Sequence, residues 1–193
     1  MKATALPREL RLIGGTHKRS KLPVPDRPGL RPTPNRVRET LFNWLGQDLR
    51  GWRVLDAFAG TGALGFEAAS RGAASVVLLE RDPALVTHLI RQRQRLQLPM
   101  VAVQGADALR WMARSPPASF ELVLLDPPFD AGLSATAVAA ALPLLVSGGW
   151  LYLEAAAPLH PLPPGLQPHR SARAGAVSAQ LLRVDWSPQE PTP

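Results

Sequence analysis

Cysteine is absent from the chain. That excludes a disulfide framework, a thiolate metal site and a cysteine nucleophile. Long apolar runs are missing as well. Stretches such as Val76–Leu79 and Leu122–Leu125 stop at charges or prolines, far short of the ~18 residues a membrane span needs. The opening MKATALPREL carries no apolar signal-peptide core. Histidine is scarce and scattered: His17, His88, His160 and His169 lack the spacing of metal ligands. The expectation is a cytoplasmic, monomeric protein with no metal and no membrane attachment.

What is present suits one domain with a short appendage: 193 residues, 46% hydrophobic and 19% charged, enough to bury a sizeable core. The net charge of +7 is unevenly placed. Residues 1–53 hold 12 Lys and Arg against four acids, whereas the other 140 residues hold 10 basic and 11 acidic side chains. A basic arm on a nearly neutral body fits a polyanion, nucleic acid first. A solvated tail is the plainer alternative.

The first 34 residues read as a basic extension. Two short extended runs, Leu10–Ile13 and Lys21–Val24, flank Gly14-Gly15 and suggest a hairpin or loop pair. RPGLRPTP is too proline-rich for a helix. A helix is expected from Pro34 or Asn35, with Asn35 as its N-cap and Val37, Leu41, Trp44 and Leu45 on one face. Residues 35–186 then alternate strand and helix. Strands are expected at 54–58, 75–80, 100–104, 120–126 and 150–155. Helices are expected at 63–71, 83–98, 108–113 and 134–145. Two final strands, 166–172 and 177–186, lie too close for a helix between them and suggest an antiparallel pair at one edge. The rest is a parallel α/β sheet. Residues 187–193 read as a disordered tail.

Three sites carry chemistry. In LDAFAGTGALG, the glycines Gly60, Gly62 and Gly65 form GxGxxG between a strand and a helix, which suits NAD, FAD or S-adenosylmethionine, or a simple turn. Second, Asp56, Glu80 and Asp107 fall at three successive strand ends, where ligands bind in this fold class. Glu80 stands at ribose spacing from Gly60, and Asp107 could accept from an adenine amine or cap a helix. Third, Asp126-Pro127-Pro128-Phe129 follows the fourth strand. Two prolines remove two N–H donors and fix the carbonyls. Asp126 and a proline carbonyl then form an acceptor pair, as an exocyclic –NH2 requires, and Phe129 offers a stacking face.

With these residues in view, the chain resembles the bacterial RsmD-type methyltransferases, which methylate the N2 amine of a guanine in small-subunit ribosomal RNA. The resemblance rests on IGGTHKRSKLPVPDRPGLRPTPNRVRETLFNWL, LDAFAGTGALGFEAASRGA, LLERD and LLDPPFD, and runs from Leu12 to about Arg183. It implies a class I methyltransferase fold, a doubly wound seven-stranded sheet of order 3-2-1-4-5-7-6, with a small basic N-terminal extension. It implies S-adenosylmethionine as cofactor, with Asp56, Gly60 and Gly62 towards the methionine end, Glu80 at the ribose, Asp107 at the adenine, and Phe58, Arg81 and Ala108 also in cofactor binding. Asp126 to Phe129 would hold the target amine. Ribosomal RNA or the small ribosomal subunit would meet Lys18, Arg19, Lys21, Arg27, Arg31, Arg36 and Arg38. A DNA or protein-glutamine amino methyltransferase, a noncatalytic RNA-binding module and a nicotinamide dehydrogenase are the competing readings of the same motifs.

Overall fold

A computed structural model describes residues 9–27, 30, 33–128 and 133–185. Two of the expected site residues, Arg31 and Phe129, lie outside that range, as does the tail at 187–193. The chain opens with an antiparallel pair, β1 (Glu9–Arg11) and β2 (Lys21–Pro23), followed by α1 (Asn35–Trp44). The alternating part runs β3 (Arg53–Asp56), α2 (Ala63–Ser70), β4 (Ser75–Glu80), α3 (Pro83–Arg95), β5 (Val101–Gly105), α4 (Ala108–Met112), β6 (Phe120–Leu125) and α5 (Ser134–Ala141). It ends with β7 (Leu145–Ala155), β8 (Leu166–Ala174) and β9 (Val177–Val184).

Seven strands form one sheet of order β5-β4-β3-β6-β7-β9-β8. Numbered from β3, this is the expected 3-2-1-4-5-7-6. The first five are parallel and the last two antiparallel. β4 and β6 are apolar almost throughout because helices cover both faces of the sheet. One face packs Val54, Leu78, Leu122, Leu124 and Tyr152 under α1, α2 and α3, and the other packs Leu55, Val123, Leu151 and Leu153 under α4 and α5.

Three local expectations need correction. Asn35 does not cap α1: Pro34 takes the cap position without a side-chain bond, and Asn35 Oδ1 accepts instead from Arg38 Nη2 at 2.6 Å. The helix expected over 134–145 stops at Ala141 and tightens into a 3-10 turn, Leu142–Leu144, since Pro143 has no N–H to continue the ladder. β7 starts at Leu145 rather than near Trp150, because the strand runs on through Gly148, whose φ is 74°.

The basic hairpin shares the core of the sheet. Leu10, Leu12 and Leu22 are buried in the same apolar cluster as α1 and α2. Glu67 of α2 accepts from the Ile13 and Gly14 amides, both at 2.8 Å. The Thr16 amide donates to the Ser70 carbonyl and the His17 amide to Ser70 Oγ. A Cβ on Gly15 would come within 1.7 Å of the Ser70 carbonyl oxygen, so only glycine allows this contact.

Candidate active site

The cofactor turn is built by the end of β3. Asp56 closes the strand, and Gly62, at φ 78°, starts α2 in a left-handed conformation that a side chain disfavours. Asp56 is buried, and its Oδ2 accepts from the Gly65 amide at 2.9 Å. Phe58 is half-buried against the apolar core under α4 and α5. Leu30, from the proline-rich segment, lies over the turn: a Cβ on Gly60 would meet its Cδ1 at 3.3 Å.

Glu80, at the end of β4, holds the turn from the next strand. Its Oε2 accepts from the Gly60 amide at 3.0 Å, and Oε1 accepts from the Arg81 and Asp82 amides at 2.8 and 2.9 Å. A carboxylate has about four acceptor sites, so room remains for one further donor rather than for both hydroxyls of a ribose. Past β5, Asp107 caps α4 by accepting from the Arg110 amide at 2.9 Å, with its side chain exposed and Ala108 buried beneath it. Asp126 follows β6 half-buried, Pro127 is buried and Pro128 exposed.

Two groups at this edge escape a reading of motifs. β7 pairs with β6 so that Leu125 lies beside Leu153, which brings Glu154 next to Asp126 along the strands. Glu154 is 2% exposed and accepts from the buried Tyr152 hydroxyl at 2.9 Å. A glutamate at the end of an apolar strand is the available signal, the same one that Asp56 and Glu80 give. Burial, then Asp126 and Glu80 nearby, push the Asp56 carboxyl up to about 7. Burial and the nearby Asp126 and Asp56 push Glu154 up to about 8. The same crowding raises the Tyr152 hydroxyl. Among the described residues, no ion pair reaches Asp56, Glu80 or Glu154. A row of acceptors that repel one another fits a ligand bearing hydroxyls, amines and a positive charge, and S-adenosylmethionine, with its ribose, its adenine amine and its sulfonium, is such a ligand.

The expected RNA-facing cations separate into three groups. Lys18, Arg19 and Lys21 are exposed, with Lys21 ion-paired to Glu9 at 3.2 Å. Lys18 and Arg19 sit on the loop bonded to Ser70, the last residue of α2, Lys21 starts β2 just after it, and α2 runs from the cofactor turn towards the strand starts. That places them at the end of the sheet opposite Asp126, about 12 Å of helix away at ~1.5 Å per residue. Arg27 and Arg36 are exposed, and Arg36 borders the end of β8 beside Ala172 and Ala174. Arg38 is corrected outright: it is 0% exposed, its Nη2 donates to the Arg11 carbonyl and to Asn35, and its Nη1 lies 3.6 Å from Glu67 Oε2. Glu67 also accepts from Arg71 Nε at 2.8 Å. A guanidinium inside this cluster does not reach a phosphate. No group of metal-ligating side chains occurs among the described residues, and no helix among them is long and apolar enough to cross a membrane.

The chain is similar to known proteins over most of its length. The chain is 40% identical over 183 residues to ribosomal RNA small subunit methyltransferase D of Escherichia coli (strain K12), covering 91% of this chain and 90% of that one. To the protein of the same name in Haemophilus influenzae it is 40% identical over 148 residues, 74% of each chain. The solved structure of yhhF from Escherichia coli superposes with a TM-score of 0.82 at 35% identity, over 92% of this chain and 98% of that one. The family model described as Conserved hypothetical protein 95 matches residues 10–183. On a match of that length, the chain belongs to this family, that of the RsmD-type methyltransferases its motifs resemble.

Proposed function

We propose that the protein transfers a methyl group from S-adenosylmethionine to the exocyclic N2 amine of a guanine in small-subunit (16S) ribosomal RNA. The observation that carries the reading is Asp126-Pro127, set at a strand end within a row of carboxylates that favour a cationic partner. Asp56, Phe58, Gly60 and Gly62 would hold the methionine end, Glu80 and Arg81 the ribose, and Asp107 and Ala108 the adenine. The relatives' name for their substrate, small-subunit ribosomal RNA, supports RNA over DNA, and the exposed cations suit a polyanion.

When bound, the cofactor supplies an electrophilic methyl carbon. The residues of this chain act on the amine. The N2 lone pair is delocalised into the guanine ring, so the site must orient it, and alignment is the main contribution. Asp126 and the Pro127 carbonyl accept from the two N2–H groups. That favours a pyramidal nitrogen and stabilises the positive charge that develops there. An ordinary aspartate, with a pKa of ~3.9, is a weak base, so Asp126 orients and stabilises, and the proton leaves after the methyl has moved. The guanine must leave its stack to reach this corner, where Phe129, three residues past Asp126 in sequence, would stack on it.

Asp126→Ala should fold and bind the cofactor, while single-turnover methylation of unmethylated small subunits falls ~10²–10³-fold. Asp126→Asn keeps a carbonyl acceptor and should retain more activity than Ala. A wild-type rate in Asp126→Ala would remove this residue from the mechanism.

A further inference from the structure

Near the catalytic end of the sheet, two shallow hollows flank the edge strand β8, one on each face. One, of about 390 Å³, is lined by Ala156, Pro158, Ser171, Arg173 and Ser178 among others. The other, of about 80 Å³, lies between α1 and the edge, with Arg36, Thr40, Ala172 and Ala174 in its wall. Ala172 and Arg173 line both. Strand register fixes where this is. Arg173 pairs with Ser178 on β9, and Ser178 pairs with Ala155 on β7. Arg173 is therefore level with the residue after Glu154. From β6 to β8 there are three strand spacings of ~4.8 Å, or roughly 14 Å, a reach that a few nucleotides cover.

The charge here lies at the catalytic end, whereas Lys18 and Arg19 of the N-terminal loop lie at the opposite end of the sheet. Arg11 and Lys21 share Glu9, and Arg38 is buried on Glu67. Arg36, Arg170 and Arg173 have no carboxylate partner among the described residues, and no carboxylate lines either hollow. Arg173 Nε donates only to the Gly175 carbonyl, and Arg170 Nη1 to the His169 carbonyl. β8 is the sheet edge, and residues 167–173 are all exposed. The small side chains of the lining let a sugar-phosphate chain come close to the strand. Charges on an edge strand also guard against strand-to-strand aggregation. That role needs charge somewhere along β8, but it does not require an arginine on α1 beside the same edge.

We propose that the RNA strand flanking the target guanine crosses the β8 edge from the α1 groove, with Arg36 on the α1 side and Arg173 on the opposite face as its phosphate contacts. The inference rests on the RNA methyltransferase reading and adds where the substrate strand runs. The test compares Arg36→Ala/Arg173→Ala with Lys18→Ala/Arg19→Ala, using unmethylated small subunits and a short RNA hairpin containing the target guanine as probes. With the short hairpin, the groove variant should bind ~10–100-fold more weakly, with the log–log salt slope reduced by roughly 1.4 for two lost contacts. The loss should appear mainly in KM, and Arg173→Lys should recover much of it. The loop variant should lose less on the short hairpin than the groove variant. If the groove variant keeps wild-type RNA affinity and salt slope while the wild type methylates the subunit, the groove assignment falls and the methyltransferase reading stands. The groove assignment falls equally if the variant merely self-associates without losing RNA affinity. If the wild type neither binds nor methylates either RNA, both fall together.

Discussion

The protein buries carboxylates in two places and treats them in opposite ways. Glu67, in the middle of α2, is surrounded by donors: two arginines and the amides of Ile13 and Gly14. Asp56 and Glu154, at the strand ends, have burial and like charge around them and hold their protons to unusually high pH. A buried acid held by three hydrogen bonds between two guanidinium groups is architecture. Buried acids crowded together without a cation keep a site ready for one, and the perturbed group marks the functional end of the molecule.

The largest effect should come from the architectural acid. Glu67→Ala leaves two buried guanidinium groups and two amides without their partner. It should cost about 3–5 kcal/mol of stability, the usual result of breaking a buried pair from one side, read by urea denaturation. A near-neutral result would mean that the cluster is not the anchor its geometry indicates.

Glu80 falls between the two classes, since it anchors Gly60 and retains one free acceptor position. Glu80→Ala should weaken S-adenosylmethionine binding by ~1.5–3 kcal/mol, measured by calorimetry. Glu80→Gln should do no better, because its amide N–H2 would face either the Gly60 amide or those of Arg81 and Asp82. A fully active Gln variant would show that the turn does not depend on the charge.

The smallest effect is the pH response of the strand-end acids. Their folded pKa values are raised, so the folded protein holds protons that the unfolded chain releases near pH 4. The stability they contribute is complete below that value and is lost as pH rises through about 7 for Asp56 and about 8 for Glu154. Between pH 7 and 8 the ligand-free protein should lose on the order of 1–2 kcal/mol, as each pKa unit is worth ~1.4 kcal/mol. Glu154→Gln should flatten that slope in thermal melts. The stabilisation given by the cationic cofactor should grow over the same interval, and a pH-independent shift would overturn the like-charge account.

Much of this is legible in the sequence, and the failures have physical causes. The strands at 75–80 and 120–125 and the strand-end acids are readable because both sheet faces are buried, so apolar runs end at polar residues. Strand order and the antiparallel final pair match expectation. Arg38 misleads because its partner, Glu67, lies 29 positions along the chain, and sequence charge does not show which cations have been neutralised inside. Glu154 escapes notice because no motif surrounds it, although the spacing of Tyr152 and Glu154 places both on one face of a strand. The opposite-end position of Lys18 and Arg19 follows from the direction of α2, which becomes visible only once the loop is seen docked on Ser70.

That docking bears on how the molecule can be altered. A stretch rich in arginine and proline at the front of a chain invites trimming or exchange between relatives, as one would with a purification tag. Here such surgery removes Leu12 and Leu22 from the core and takes two of the donors from Glu67. Residues 10–22 are therefore as much a part of the folding unit as the sheet, and a hybrid that swaps them must bring its own version of α2.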